Sequence, residues 1–316
     1  MKNKILCITP IKHLLGVYDE LKKYGEVTYL PNISKEKLKS ILSKSIYQAI
    51  FVNPNKQGFK LDSSVLKNSN LKVINTCSTG TNHIDLDFCK KNKITVWSLT
   101  KDLKMIKKLP STSELAFGLM IVLLRKIIQA HNSVLEYNWD YLPYLGNQIS
   151  GLTVGVVGYG RLGKIFCNQL SGFGSKILVN DPYVKKCRYE NMSLSKLISR
   201  VDVLVLHVHV NDKTRKFINH NMINKMKKGA VIINTSRGEL VNEDDILKNL
   251  KSGHLGGYGT DVLADEFADI KKSKLIKYAN KLPIVITPHI GGMTMQGQSK
   301  AFMFAVKKFN KLKLIK

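Results

Sequence analysis

Three strand-like runs in the second half of this sequence end in side chains able to do chemistry. Ile232-Ile-Asn-Thr-Ser-Arg237-Gly238 turns from apolar to small polar residues and delivers a guanidinium beside a glycine. Gly256-Gly-Tyr-Gly-Thr-Asp261 ends in an acid, with Glu266 close behind it. Ile284-Val-Ile-Thr-Pro288-His289-Ile-Gly291-Gly292 sets an imidazole between a proline and two glycines. Singly, each has a plain structural reading: a solvated loop arginine, a capping acid, a packed histidine. Ligands of parallel α/β sheets bind beyond the carboxyl ends of the strands, so the three are better read together. Arg237 offers a planar fork that matches a carboxylate. His289 can give or take a proton near neutrality, and Glu266 can hold its ring in one tautomer and favour the charged form. A cation for a carboxylate and a proton donor for a carbonyl oxygen are what reduction of a 2-oxo acid needs, apart from a hydride. Run backwards, the same groups take the proton of a 2-hydroxy acid.

A hydride source is implied upstream. The apolar run Thr153–Val157 leads straight into Gly158-Tyr-Gly160-Arg161-Leu162-Gly163, and Arg161 to Phe173 reads as a helix. Such a turn aims backbone N–H groups and the positive end of a helix dipole at one spot. Gly158 permits the turn, Gly160 lets a pyrophosphate approach, and Gly163 lets the helix pack on the sheet. A second strand, Lys176–Asn180, ends at Asp181, whose carboxylate can accept both hydroxyls of an adenosine ribose. It would repel a 2′-phosphate, so NAD is expected over NADP, with Lys185 and Lys186 close enough to soften the choice. Bound as NADH, the cofactor would supply the hydride.

These residues must be positioned by alternating strands and helices. Strand-like runs fall at Ile5–Ile8, Val27–Tyr29, Ala49–Val52, Lys72–Asn75 and Thr95–Trp97, and later at Val203–Leu206, Ala230–Asn234, Leu255–Thr260 and Ile284–Thr287. A long helix is expected from about Ser111 to Glu136, capped by Ser111 or Thr112, and a last one from about Gln296 to Leu312. The fold class expected is α/β: two Rossmann- or flavodoxin-like doubly wound parallel-sheet domains with a cleft between them. Residues 1–101 with 293–316 should form the substrate-binding domain, and residues 102–292 the NAD-binding domain.

Composition excludes several alternatives. No apolar run is long enough to span a bilayer. Five scattered cysteines without a CxxC pair suit reduced thiols and a cytoplasmic placement. The formal charge of +27 is mostly lysine spread along the chain, with no nucleic-acid motif beside it. It reads as a solvated surface and not as a nucleic-acid footprint. No metal is expected, since His207 and His209, alternating as on a strand, lack further ligands.

In this order the motifs resemble those of the D-isomer-specific 2-hydroxyacid dehydrogenases, and most of all the phosphoglycerate-dehydrogenase-like branch. The likeness takes in Cys77-Ser-Thr-Gly-Thr-Asn-His-Ile-Asp85, Pro110-Ser-Thr-Ser-Glu114, Leu123-Leu-Arg125 and Leu206-His-Val208 and covers nearly the whole chain. It implies catalytic Arg237, Glu266 and His289. It implies cofactor contacts from Gly158, Gly160, Arg161, Leu162, Gly163, Asp181, Val208, Thr235, Asp261, Gly291 and Gly292, with Asp261 at the nicotinamide carboxamide. Ser78, Thr79 and Gly80 would present backbone N–H groups to the substrate carboxylate, beside Arg237. A homodimer through the NAD-binding domain is implied as well, and the aromatic stretch Tyr137–Tyr144 suits an interface.

Two departures stand out. The family usually has proline where His209 stands and another after the catalytic glutamate, where this chain has Phe267. They motivate an alternative, an NAD-sensing, corepressor-like binding protein on the same fold, although all three catalytic side-chain types are retained. A glutamine takes the place of the acid at Glu266 in formate dehydrogenases of this superfamily, which disfavours formate oxidation.

Overall fold

The computed structural model describes residues 2–53, 58–266 and 269–314. The chain forms two units, residues 1–109 with 292–316 and residues 110–291. Most strands in both are short and apolar because helices cover each face of each sheet.

The first unit carries five parallel strands, β1 (Lys4–Cys7), β2 (Glu26–Tyr29), β3 (Ala49–Val52), β4 (Val73–Thr76) and β5 (Thr95–Trp97), in the order β2-β1-β3-β4-β5. This is the flavodoxin-like 2-1-3-4-5 order. Its last α-helix, Met295–Lys307, is N-capped by Thr294. It packs Phe302, Ala305 and Val306 into a core shared with Ile5, Phe51 and Val73. Phe51 meets Phe302 and Phe309 edge-on, with ring centroids 6.0 and 5.9 Å apart. The buried Asn75 amide donates to the Ala305 carbonyl at 2.7 Å. Burial of each such aromatic ring contributes roughly 1.5–3 kcal/mol. The α-helix stops at Lys307 and tightens into a 3₁₀ stretch, so it is shorter than its apolar pattern suggests.

The second unit carries β6 (Thr153–Val157), β7 (Lys176–Asn180), β8 (Glu190–Asn191), β9 (Val203–Leu206), β10 (Ala230–Asn234), β11 (Leu255–Thr260) and β12 (Ile284–Ile286). The order β12-β11-β10-β9-β6-β7-β8 is the Rossmann order extended by one strand. Alternate residues feed two cores. Leu204, Leu206 and Ile232 join one, while Val203, Val205 and Ile233 join the other.

The expected long helix is two. Ser111–Leu124 ends where Lys126 adopts a left-handed φ of 51°, and a second helix covers Ile127–Leu135. The break has a tertiary cause: the Asn147 N–H takes the Leu124 carbonyl at 2.8 Å, so the chain cannot continue its own ladder there. Pro110, not Ser111 or Thr112, occupies the cap position. The hydroxyls of that first turn are used elsewhere: Thr112 donates to the Gly291 carbonyl at 3.1 Å and Ser113 to the Leu162 carbonyl at 2.9 Å.

Candidate active site

The register of β6, β7 and β9 sets Val157, Asn180 and Leu206 level with one another. The next residues of the three strands are Gly158, Asp181 and His207. Gly158 has φ 94°, and a Cβ there would stand 2.5 Å from the His207 carbonyl oxygen. A Cβ on Gly163 would come within 2.0 Å of the Gly158 oxygen, whereas one on Gly160 would meet nothing within 4 Å. The turn is therefore closed on its structural side and open at Gly160. The helix that follows, Arg161–Leu170, starts without a side-chain cap. Asp181 accepts the Tyr159 N–H on Oδ2 at 2.8 Å and the Tyr183 N–H on Oδ1 at 3.0 Å, leaving lone pairs on both oxygens. Val208 packs against Gly158. The Thr235 hydroxyl is buried and has no hydrogen-bond partner among the described residues. An anion-binding turn, a carboxylate at the second strand end and an orphaned hydroxyl at the end of β10 fit a dinucleotide of the NAD type.

His207 lies past the end of β9, and so does His209; they do not alternate on a strand. The ring nitrogens of His207 are buried without a partner among the described residues, and the ring lies 5.4 Å from that of Phe166. Burial, and then the charge of Arg161, push its pKa down from 6.5 to about 3. The native state thus keeps this imidazole neutral, while the unfolded chain protonates it below pH 6.5. Its stabilising contribution is full above that pH and is lost as the pH falls towards 3. His207→Leu is expected to flatten the fall in urea-unfolding free energy across that window by up to about 1.4 kcal/mol per pH unit. An unchanged slope would contradict the assignment. His209 is exposed. Among the described residues no group of three or more His, Cys, Asp or Glu could hold a metal.

Neighbouring strands β10, β11 and β12 bring the chemically active side chains to one sheet edge, with Asn234, Thr260 and Ile286 level in register. The Asn234 amide closes the turn after β10 by donating to the Arg237 carbonyl at 2.8 Å. Arg237 is partly buried, and its Nη1 donates to the Ser236 carbonyl at 2.6 Å. Past β12, His289 holds a left-handed φ of 55°. Its Nδ1 and Glu266 Oε2 are 2.9 Å apart, with 27% and 17% of the two side chains exposed. The pair is partly shielded from water, yet open enough to exchange a proton.

Asp261, expected at the cofactor, is engaged with the histidine loop. Oδ1 accepts the Thr287 hydroxyl at 2.6 Å and the Ile290 N–H at 2.7 Å, Oδ2 accepts the Gly291 N–H at 2.7 Å, and its backbone oxygen accepts the His289 N–H at 3.0 Å. Burial raises its pKa despite these bonds. Its carboxylate thus holds the backbone after the imidazole and the Thr287 side chain before it. Sequence reasoning missed this role and that of Asn234, although an Asn or Asp just past a strand is a known turn-forming signal.

In the first unit, Cys77 to Gly80 follow β4. The Ser78 hydroxyl donates to the Gly80 carbonyl at 2.5 Å, and the Thr100 hydroxyl to the Thr79 carbonyl at 2.5 Å. Carbonyls are thereby turned into the loop's own bonds. The backbone N–H groups of Ser78, Thr79 and Gly80 have no acceptor among the described residues. Lys101, Lys104, Lys107 and Lys108 are exposed. Phe267, singled out in the sequence, lies outside the described residues, and so do Pro54 and Asn55. Gly292 belongs to the first unit and Gly291 to the second.

Comparison with known proteins agrees with this architecture. Residues 117–291 match the NAD binding domain of the D-isomer specific 2-hydroxyacid dehydrogenases, and residues 8–105 match that family's catalytic domain. The chain is 30% identical over 299 residues to a D-3-phosphoglycerate dehydrogenase of Methanocaldococcus jannaschii, with 92% of this chain and 54% of that protein covered. It thus spans about half the length of that relative. It is 33% identical over 245 residues to a hydroxypyruvate reductase of Thermotoga maritima, covering 77% of this chain and 78% of that one. The solved D-lactate dehydrogenase of Aquifex aeolicus, complexed with NAD and lactic acid, superposes with a TM-score of 0.82 at 28% identity, covering 99% of this chain and 96% of that one. The chain belongs to the D-isomer specific 2-hydroxyacid dehydrogenases, a family of NAD-dependent enzymes, on its phosphoglycerate-dehydrogenase-like branch.

Proposed function

We propose that this protein interconverts a small D-2-hydroxy acid and its 2-oxo acid, with 3-phosphoglycerate and phosphohydroxypyruvate among the candidate pairs. The single observation that carries the reading is the 2.9 Å contact between His289 Nδ1 and Glu266 on the sheet edge that also bears Arg237. NADH, when bound, supplies the hydride. The glycine turn from Gly158 to Gly163, Asp181, Val208 and Thr235 would hold it. Arg237 binds the substrate carboxylate and polarises the carbonyl. Glu266 fixes Nδ1 as the protonated nitrogen and stabilises the imidazolium, so the proton reaches the carbonyl oxygen through Nε2. In oxidation the same nitrogen takes the hydroxyl proton. The retained trio argues against a binding-only protein.

A panel of 2-oxo acids, read by the fall in NADH absorbance, tests the assignment. Turnover of glyoxylate, hydroxypyruvate or its phosphate is expected. Firm NADH binding with no turnover on any of them would overturn it.

A homodimer is part of the proposal. Tyr137, Trp139, Tyr141, Leu142 and Leu145 are 99%, 90%, 76%, 60% and 66% exposed, an apolar stretch that a second copy would cover. A sedimentation mass of one chain at micromolar concentration would refute this. Cytoplasmic placement is proposed too, on five free cysteines and on the lack, among the described residues, of any helix able to cross a membrane.

A further inference from the structure

Glu243 opens the helix Glu243–Lys251, where Asn242 already serves as the cap. Its carboxylate has a different task. Oε1 accepts the backbone N–H of Ala264 at 2.8 Å. Ala264 belongs to the short stretch that carries Glu266 to His289. A second contact seats the same stretch: a Cβ on Gly238 would lie 2.0 Å from the Leu263 carbonyl carbon and 2.2 Å from the Ala264 nitrogen. Leu240 and Val262, on either side of this contact, are buried. Residues 237–243, which begin with Arg237, therefore rest directly on residues 263–264, which lead to Glu266.

We propose that Glu243 is a positioning residue that fixes the backbone of residues 264–266 so that the Glu266 carboxylate meets His289 Nδ1. The inference rests on the catalytic reading above for its kinetic consequences, but not for its structural one. The site is an awkward place for an acid. Burial raises its pKa, and Asp265, Asp244 and Glu239 raise it further, against the bond from Ala264. A group there merely to begin a helix would do better facing water. A charged acceptor is the stronger partner for a backbone N–H, which accounts for a carboxylate at this position.

The readout that separates positioning from plain stability is the downfield NMR resonance of the His289 Nδ1 proton bonded to Glu266, followed in the protein without ligands and assigned against His289→Asn. Glu243→Gln keeps the acceptor oxygen; Glu243→Leu removes it. Glu243→Asp keeps the charge and the helix start but is one methylene too short, and serves should the leucine variant not fold. The Leu and Asp variants are expected to lose that resonance, because the carboxylate is no longer held against the ring. Gln is expected to keep it. The kcat of the Leu and Asp variants should fall about ten- to hundredfold with KM for the 2-oxo acid little changed. A resonance unmoved in folded Leu or Asp variants overturns the inference, and so does a Gln variant that behaves like Leu. If no 2-oxo acid is turned over at all, the catalytic reading fails while the NMR result still decides this one.

Discussion

Replacing His289 with asparagine is expected to lower kcat by about 10²- to 10⁴-fold, the usual worth of a placed general acid–base group. Asparagine is the informative choice because position 289 has φ 55°, a conformation that asparagine tolerates and most other residues do not. The loop should survive the change. Its bonds to Asp261 come from the backbone N–H groups of residues 289, 290 and 291, and the Thr287 hydroxyl is untouched. NADH affinity, measured by fluorescence titration, should therefore stay within about twofold, since the glycine turn lies on other strands. Steady-state rates decide the matter. A variant that keeps more than about a tenth of wild-type kcat would remove His289 from the chemistry.

Truncation of Arg237 should be comparably severe and should show differently. Losing one partner of a desolvated, hydrogen-bonded charge pair costs about 2–5 kcal/mol. Arg237→Leu is thus expected to lower kcat/KM about 10²- to 10³-fold at each pH. Much of that loss should fall on KM, because the carboxylate is held in the ground state too. Arg237→Lys should recover only part of it, since an ammonium cannot reproduce two parallel N–H bonds. The turn itself depends on Asn234, which grips the backbone oxygen of residue 237 and not its side chain. A leucine variant with unaltered kcat/KM would dismiss Arg237 as the carboxylate anchor.

What could be read before folding, and what could not, follows from the range of the forces involved. β6, its glycine turn and the start of the helix after it were legible because each depends on neighbours a few residues away and on a strand buried on both faces. The catalytic side chains were legible for a similar reason: each follows within a few residues of a strand-like run, and parallel strands gather their carboxyl ends on one edge. The break at Lys126 was not legible, because the group that captures the Leu124 carbonyl, the Asn147 N–H, arrives from beyond an intervening helix. The strand β8 was missed because Glu190 and Asn191 are polar and exposed and gain their place only by pairing with β7. Asp261 was assigned to the cofactor, and its four-bond hold on the histidine loop emerged only once β11 and β12 stood side by side. Thr112 was taken for a cap, and its bond to Gly291 is likewise a product of tertiary packing.

The aromatic and aliphatic residues donated by Met295–Lys307 to the sheet of the first unit carry a consequence for biogenesis. As the polypeptide leaves the ribosome, β1 to β5 emerge with one side of Phe51 and Val73 unsheathed, and they stay so until residues 295–307 have followed. Residues 110–291, contiguous in the chain, can mature before that unit is complete, against the usual order in which the segment made earlier folds ahead of the one that follows it. During that interval the nascent amino-terminal sheet is an aggregation hazard, and holding it in check is work for a chaperone.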